Sequence, residues 1–196
     1  MKKIILSMVA VLALSTANAQ DKKSGSEGFA KGDVFVTGAL TLSNGKTGDN
    51  KDNAFLVEPK VGYFVTENIA IGAKLGFGSN KSEAGSVTTV DKTAFTVGAF
   101  GRYYFTPASK FSLFANLGVD LNNWKNKLAD TKEKEFAIGL GLGMNYFVSS
   151  NFAIEAGVGA LSYTSNDNGG NGADKTNTLS FGGDWRAVTF GVNYKF

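Results

Sequence analysis

Apolar and polar residues alternate along most of this chain, and a period of two marks a strand whose two faces meet different surroundings. Eight such segments can be read, over residues 33–42, 55–65, 69–78, 94–105, 111–121, 136–148, 152–160 and 187–196. The third sets Ile69, Ile71, Ala73, Leu75 and Phe77 against Ala70, Gly72, Lys74, Gly76 and Gly78. The sixth sets Phe136, Ile138, Leu140, Leu142, Met144, Tyr146 and Val148 against Ala137, Gly139, Gly141, Gly143 and Asn145. The seventh sets Phe152, Ile154, Ala156, Val158 and Ala160 against Ala153, Glu155, Gly157 and Gly159. In each segment one face is bulky and apolar, and the other carries charges and glycines.

Which face is inside decides the architecture. A soluble lipocalin-type barrel turns its apolar face inward. A water-facing row such as Gly139, Gly141 and Gly143 would weaken a strand and add no solubility. In a narrow lumen the same glycines leave room for larger side chains. The apolar face is therefore expected to meet lipid, which strands of about 10 residues cross at a tilt of about 45°. A sheet in lipid must close on itself, because an open edge leaves N–H and C=O groups without partners. Connections at Thr66–Asn68, Thr106–Lys110 and Ser149–Asn151 are short; those at Asn44–Asn53, Ser79–Lys92, Trp124–Lys134 and Ser165–Asn177 are expected to be long polar loops. The even strand count puts both termini on the side of the short turns.

The start of the chain changes the picture of where the protein resides. Lys2 and Lys3 precede an apolar run from Ile4 to Leu14, and Ala17-Asn18-Ala19 follows. That is the form of a secretory signal peptide over residues 1–19, cleaved after Ala19. Residues 20–31 read as a flexible lead-in with Phe29 as its one apolar anchor, and 32–196 as the barrel domain. Lys2 and Lys3 also supply two of the three net positive charges, so nothing in the remaining charge balance points to nucleic acid. With no Cys there is no disulfide framework. With no His the commonest general base and transition-metal ligand are missing, and no catalytic residue, cofactor site or metal site is expected.

Tyr63, Tyr103, Tyr146 and Tyr194 recur at intervals of 40, 43 and 48 residues, one per hairpin, each before a short turn or the chain end. They read as an aromatic girdle with rings in the headgroup layer. Taken with the signal peptide, the alternating strands, the connection lengths and the terminal Phe196, they give a chain that resembles the small single-domain outer-membrane barrels of the OmpA/OmpX type. The resemblance covers essentially the whole mature chain. It implies an all-β fold, an eight-stranded antiparallel up-and-down transmembrane β-barrel, exported to the outer membrane of a Gram-negative bacterium. It also implies outer-membrane lipid as surroundings, and the barrel-assembly machinery and periplasmic chaperones as partners in biogenesis. Tyr194 and Phe196 would be the assembly signal at the periplasmic rim. Structural, adhesive and small-channel roles are all compatible with it, and no surface partner is named.

The expected lumen face carries Glu58, Lys60, Lys74, Arg102, Asp120, Glu155 and Lys195. A hairpin centred near Glu67 puts Lys60 and Lys74 directly opposite each other, which is destabilising unless carboxylates compensate. Glu58 lies two residues along the same face, and Glu155 can reach across. These charges read as an ion-pair plug, because eight strands leave an interior that side chains fill; the alternative is a narrow porin-like passive channel. Gly139–Gly143 fails as a dinucleotide loop, since it opens no helix. Gly169–Asp174 matches the first six positions of a Ca²⁺-binding repeat in a single copy, and a flexible loop is the simpler reading. The expected protein is a non-enzymatic integral membrane barrel.

Overall fold

In the computed structural model the described residues are 27–169, 172–182 and 188–196. The signal-peptide expectation, residues 20–26 of the lead-in, Gly170 and Asn171 of the glycine-rich loop and Ala187 of the last strand lie outside them. Among the described residues nine strands are formed: β1 (Val34–Thr47), β2 (Asn50–Phe64), β3 (Ile69–Ala84), β4 (Val87–Tyr104), β5 (Phe111–Asn126), β6 (Thr131–Phe147), β7 (Phe152–Asn166), β8 (Thr176–Phe181) and β9 (Thr189–Lys195). Each pairs antiparallel with its neighbour up to β7, and β8 and β9 both pair with β7, at its upper and lower halves. They are two pieces of one wall strand, so nine strands build an eight-walled barrel. The barrel closes where β1 meets β9, from Phe35 opposite Lys195 to Ala39 opposite Gly191.

The period-2 pattern decides which side chains point in. In β6, burial alternates from Phe136 to Phe147, with Asn145 and Phe147 buried and Phe136, Leu140, Leu142, Met144 and Tyr146 exposed on the outside. The outward apolar stretch from Phe136 to Tyr146 has the length of a tilted bilayer-crossing strand. Bulky apolar side chains thus face outward around the wall.

Three expectations are corrected. The polar stretches Asn44–Asn53, Ser79–Lys92 and Trp124–Lys134 are not long loops. They are continuations of the strands, which pair up to Thr47 with Asn50, Ala84 with Val87 and Asn126 with Thr131. The first two hairpins close through Gly48-Asp49 and Gly85-Ser86, with Gly48 and Gly85 both at φ 61°. Gly at the first central position with positive φ is what a type II′ turn requires, and its twist matches the flanking strands. Lys, Asn and Thr there read as loop by composition, yet beyond the lipid a polar outer face is what a water-exposed strand needs.

The connection expected over Ser165–Asn177 is likewise shorter, because β7 runs to Asn166 and β8 starts at Thr176. Finally, the alternation in β7 breaks. Leu140 pairs with Leu161 but Gly141 with Gly159, which leaves Ala160 as an extra residue. Such a bulge reverses the phase, so that above it Ser162, opposite Gly139, joins the lumen face.

Candidate functional site

The lumen is where the sequence concentrates its unusual residues, and the structure fills it in layers. The layer nearest the chain termini is aromatic. Phe35, Phe64, Tyr104 and Phe147 point inward from β1, β2, β4 and β6 and are fully buried. Phe29 enters from below, with its ring 4.7 Å from Phe64, 4.9 Å from Phe147, 5.2 Å from Tyr104 and 5.5 Å from Phe35. The backbone that delivers it is fixed on three sides. The Phe29 N–H donates to the Pro107 carbonyl at 2.7 Å, the Gly32 N–H donates to Phe64, and Lys195 Nζ donates to the Gly28 carbonyl at 2.6 Å. Gly28 sits at φ 98°, and a Cβ there would lie 2.5 Å from the Ala108 backbone, so both conformation and space demand glycine. Residues 27–31, expected to belong to a mobile lead-in, are instead docked into the barrel mouth.

Above the rings lies Arg102, 4% exposed on β4. Its Nη1 and Nη2 donate to the two carboxylate oxygens of Glu155 on β7, each at 2.8 Å, in the bidentate geometry that suits a guanidinium. Nε donates to Asn116 Oδ1 at 3.0 Å, and Nη1 also donates to the Tyr104 hydroxyl at 3.2 Å. The guanidinium lies over the Phe114 ring at 4.3 Å and the Phe100 ring at 5.0 Å. Room for these rings comes from glycines directly opposite them. Phe35 faces Gly62, Phe100 faces Gly72 and Phe114 faces Gly143 across neighbouring strands. A Cβ on any of the three glycines would lie 2.2–2.3 Å from ring carbon. Gly62, Gly72 and Gly143 are thus seats for aromatic rings of the adjacent strand.

The third layer holds Lys60 and Lys74, directly opposite each other as the short turn requires. Glu58 lies 2.9 Å from Lys60 and 3.5 Å from Lys74, and Asp120 lies 2.8 Å from Lys74. The partner expected across the barrel is corrected: Glu155 belongs to Arg102, and Asp120, reached over Gly98, takes its place beside Lys74. Between this layer and Arg102 is a cavity of about 260 Å³ bordered by Lys60, Lys74, Arg102, Asn116, Asp120 and Glu155. Three cations and three carboxylates meet in that region, so it lacks the one-signed lining that concentrates ions in a cleft.

The remaining singled-out residues sit at the rim near the termini. Tyr63, Tyr103 and Tyr146 point outward, about half exposed. Tyr194 packs between Phe152 at 4.9 Å and Phe196 at 4.8 Å. The Phe196 N–H donates to the Val34 carbonyl at 3.0 Å. The inward rings Phe35, Phe64, Phe100, Tyr104, Phe114 and Phe147 all stand in the same phase as the lumen charges, so the alternation in the sequence marks them as well. No group of His, Cys, Asp and Glu among the described residues could hold a metal ion.

A family model for the outer membrane protein beta-barrel domain matches residues 6–196. No curated protein matches the chain. The fold is similar to that of the outer membrane protein OprG from Pseudomonas aeruginosa, at 13% identity, TM-score 0.54, over 88% of this chain and 99% of that one. It is also similar to Neisserial surface protein A, at 19% identity, TM-score 0.54, over 85% of this chain and 100% of that one. At such identities the likeness concerns the fold alone.

Proposed function

We propose a role for this chain from one premise: it belongs to the family of outer membrane protein β-barrel domains. Within that family its role is non-enzymatic. It is a structural barrel with a sealed lumen that holds four hairpins, β1–β2, β3–β4, β5–β6 and β7–β8, at the cell surface. The observation that carries this reading is the stacking of two blocking layers, the Phe29-capped rings and the Arg102–Glu155 pair, across one narrow interior. Eight walls leave little more space than side chains occupy.

A narrow passive channel is the second reading, favoured by the cavity of about 260 Å³ above Arg102. Planar-bilayer recording of the refolded mature chain separates the two. The sealed barrel is expected to give no steady current at physiological salt; stable, selective single-channel steps from the unaltered protein would carry the channel reading instead.

In biogenesis the barrel-assembly machinery would read the C-terminal strand, with Tyr194 and Phe196 at its end. Phe196 adds one backbone hydrogen bond to β1 and one ring contact to Tyr194, so its loss should cost the folded barrel little. Deleting Phe196 is nevertheless expected to lower the amount of heat-modifiable barrel in isolated outer membranes severalfold. Unchanged levels would remove the recognition role.

A further inference from the structure

The outward face changes chemistry sharply at the hairpin end. Along β5 it runs Val119, Leu121, Asn123, Lys125, and along β6 Ile138, Phe136, Lys134, Lys132. Lys125 and Lys132 stand directly opposite each other, and so do Lys46 and Lys51 on β1 and β2. Like charges in that position repel. Of the acids beside Lys125 and Lys132, Asp130 pairs with Lys125, while the two on β6 face inward. Glu133 and Glu135 point the other way, Glu133 towards Lys92 at 3.8 Å and Glu135 accepting from Asn122 at 2.9 Å. Asp130 reaches Lys125 only from the exposed turn, at 3.4 Å.

Beside these lysines is a groove of about 420 Å³, bordered by Leu121, Phe136, Asn123, Ser165, Lys134 and Lys175. Glu135 and Asp167 also border it; the Asp167 carboxylate accepts the backbone N–H groups of Lys134 at 2.7 Å and Gly169 at 3.1 Å. The Lys134 N–H above all, then the Gly169 N–H and the Lys134 and Lys175 ammonium groups, hold it below the usual carboxylate range, so it offsets part of the positive charge at the groove's rim. The groove has an apolar floor continuous with the outward band that meets lipid, and ammonium groups one step above it. That is the profile of an amphiphile with an anionic head.

We propose that this groove binds a phosphorylated lipid of the outer leaflet, with acyl chain on Leu121 and Phe136 and phosphate among Lys125, Lys132 and Lys134. The proposal rests on the reading of the outward face as lipid-facing. Lysines near an anionic surface each contribute about fivefold in affinity. The mature chain, folded in non-ionic detergent, is titrated with dioleoyl phosphatidic acid, dioleoyl phosphatidylcholine or inorganic phosphate, and the first bound molecule is read by native mass spectrometry.

Phosphatidic acid is expected to bind at least tenfold more tightly than phosphatidylcholine. The triple variant Lys125→Gln, Lys132→Gln, Lys134→Gln should lose most of that preference. Lys81→Gln, at a lysine already paired with Glu83, should keep it, and Phe136→Ser should weaken both lipids. Equal affinities for the two lipids, or inorganic phosphate binding as tightly as phosphatidic acid, would overturn the proposal. A chain that fails to insert into phosphatidylcholine vesicles, judged by heat-shifted mobility, would instead overturn the lipid-facing reading on which it rests.

Discussion

Glu155→Ala is expected to destabilise the barrel by about 3–5 kcal/mol, the cost of removing one partner from a buried ion pair. Arg102 is 4% exposed and gives two of its strongest hydrogen bonds to this one carboxylate. Its other contacts, the Asn116 amide, the Tyr104 hydroxyl and the aromatic faces, are neutral groups that leave the charge uncompensated. Equilibrium unfolding in detergent micelles, followed by far-ultraviolet circular dichroism, reads the difference. Arg102→Met combined with Glu155→Leu should recover most of the loss, because a buried pair replaced by apolar side chains often costs little. Arg102→Met alone, Glu155→Leu alone and the two together form a cycle whose coupling should exceed about 1 kcal/mol in magnitude. Glu58→Ala should cost less. Glu58 and its lysines are 15–22% exposed, and Asp120 remains beside Lys74. An unaltered midpoint for Glu155→Ala would show that the guanidinium finds water or another anion, and would remove the pair from the sealing of the lumen.

Phe29→Ala is expected to release residues 27–31 from the barrel mouth. The Phe29 ring is 2% exposed among four others, and truncating a buried Phe costs about 3–5 kcal/mol where the structure cannot collapse around the gap. A terminal segment tied mainly by one ring and a few hydrogen bonds undocks before the whole barrel unfolds, so the loss should appear locally. Limited proteolysis of the refolded barrel should then trim the N-terminus past Phe29 while the strands stay resistant. Gly28→Ala should do the same with the ring intact, since its Cβ would lie 2.5 Å from the Ala108 backbone. Protection of the segment in both variants would mean that the ring does not hold it.

Strand order, face assignment and one register were legible in the sequence, because they depend on local alternation and on turns too short to slip. Lys60 opposite Lys74 is the clearest case: a symmetric turn around Glu67 leaves one pairing that keeps Val61, Tyr63, Ile69 and Ile71 on the outside. The hairpin extensions were not legible, because Lys, Asn and Thr outside the lipid carry the composition of a loop while pairing as a strand. The bulge at Ala160 was hidden too, since alanine fits either face.

The tertiary structure alone decided what meets across the lumen. Arg102 and Glu155 lie on β4 and β7, strands that never pair, and the curvature of the closed wall brings them together. Phe29 lies on no strand, so no periodicity marks its position; it is placed by Pro107 and Lys195, from distant parts of the chain, acting on its own backbone and that of Gly28. A period of two fixes the direction of each side chain, but the distance between side chains pointing at the same space is set by strand number, tilt and stagger, which belong to the closed barrel as a whole.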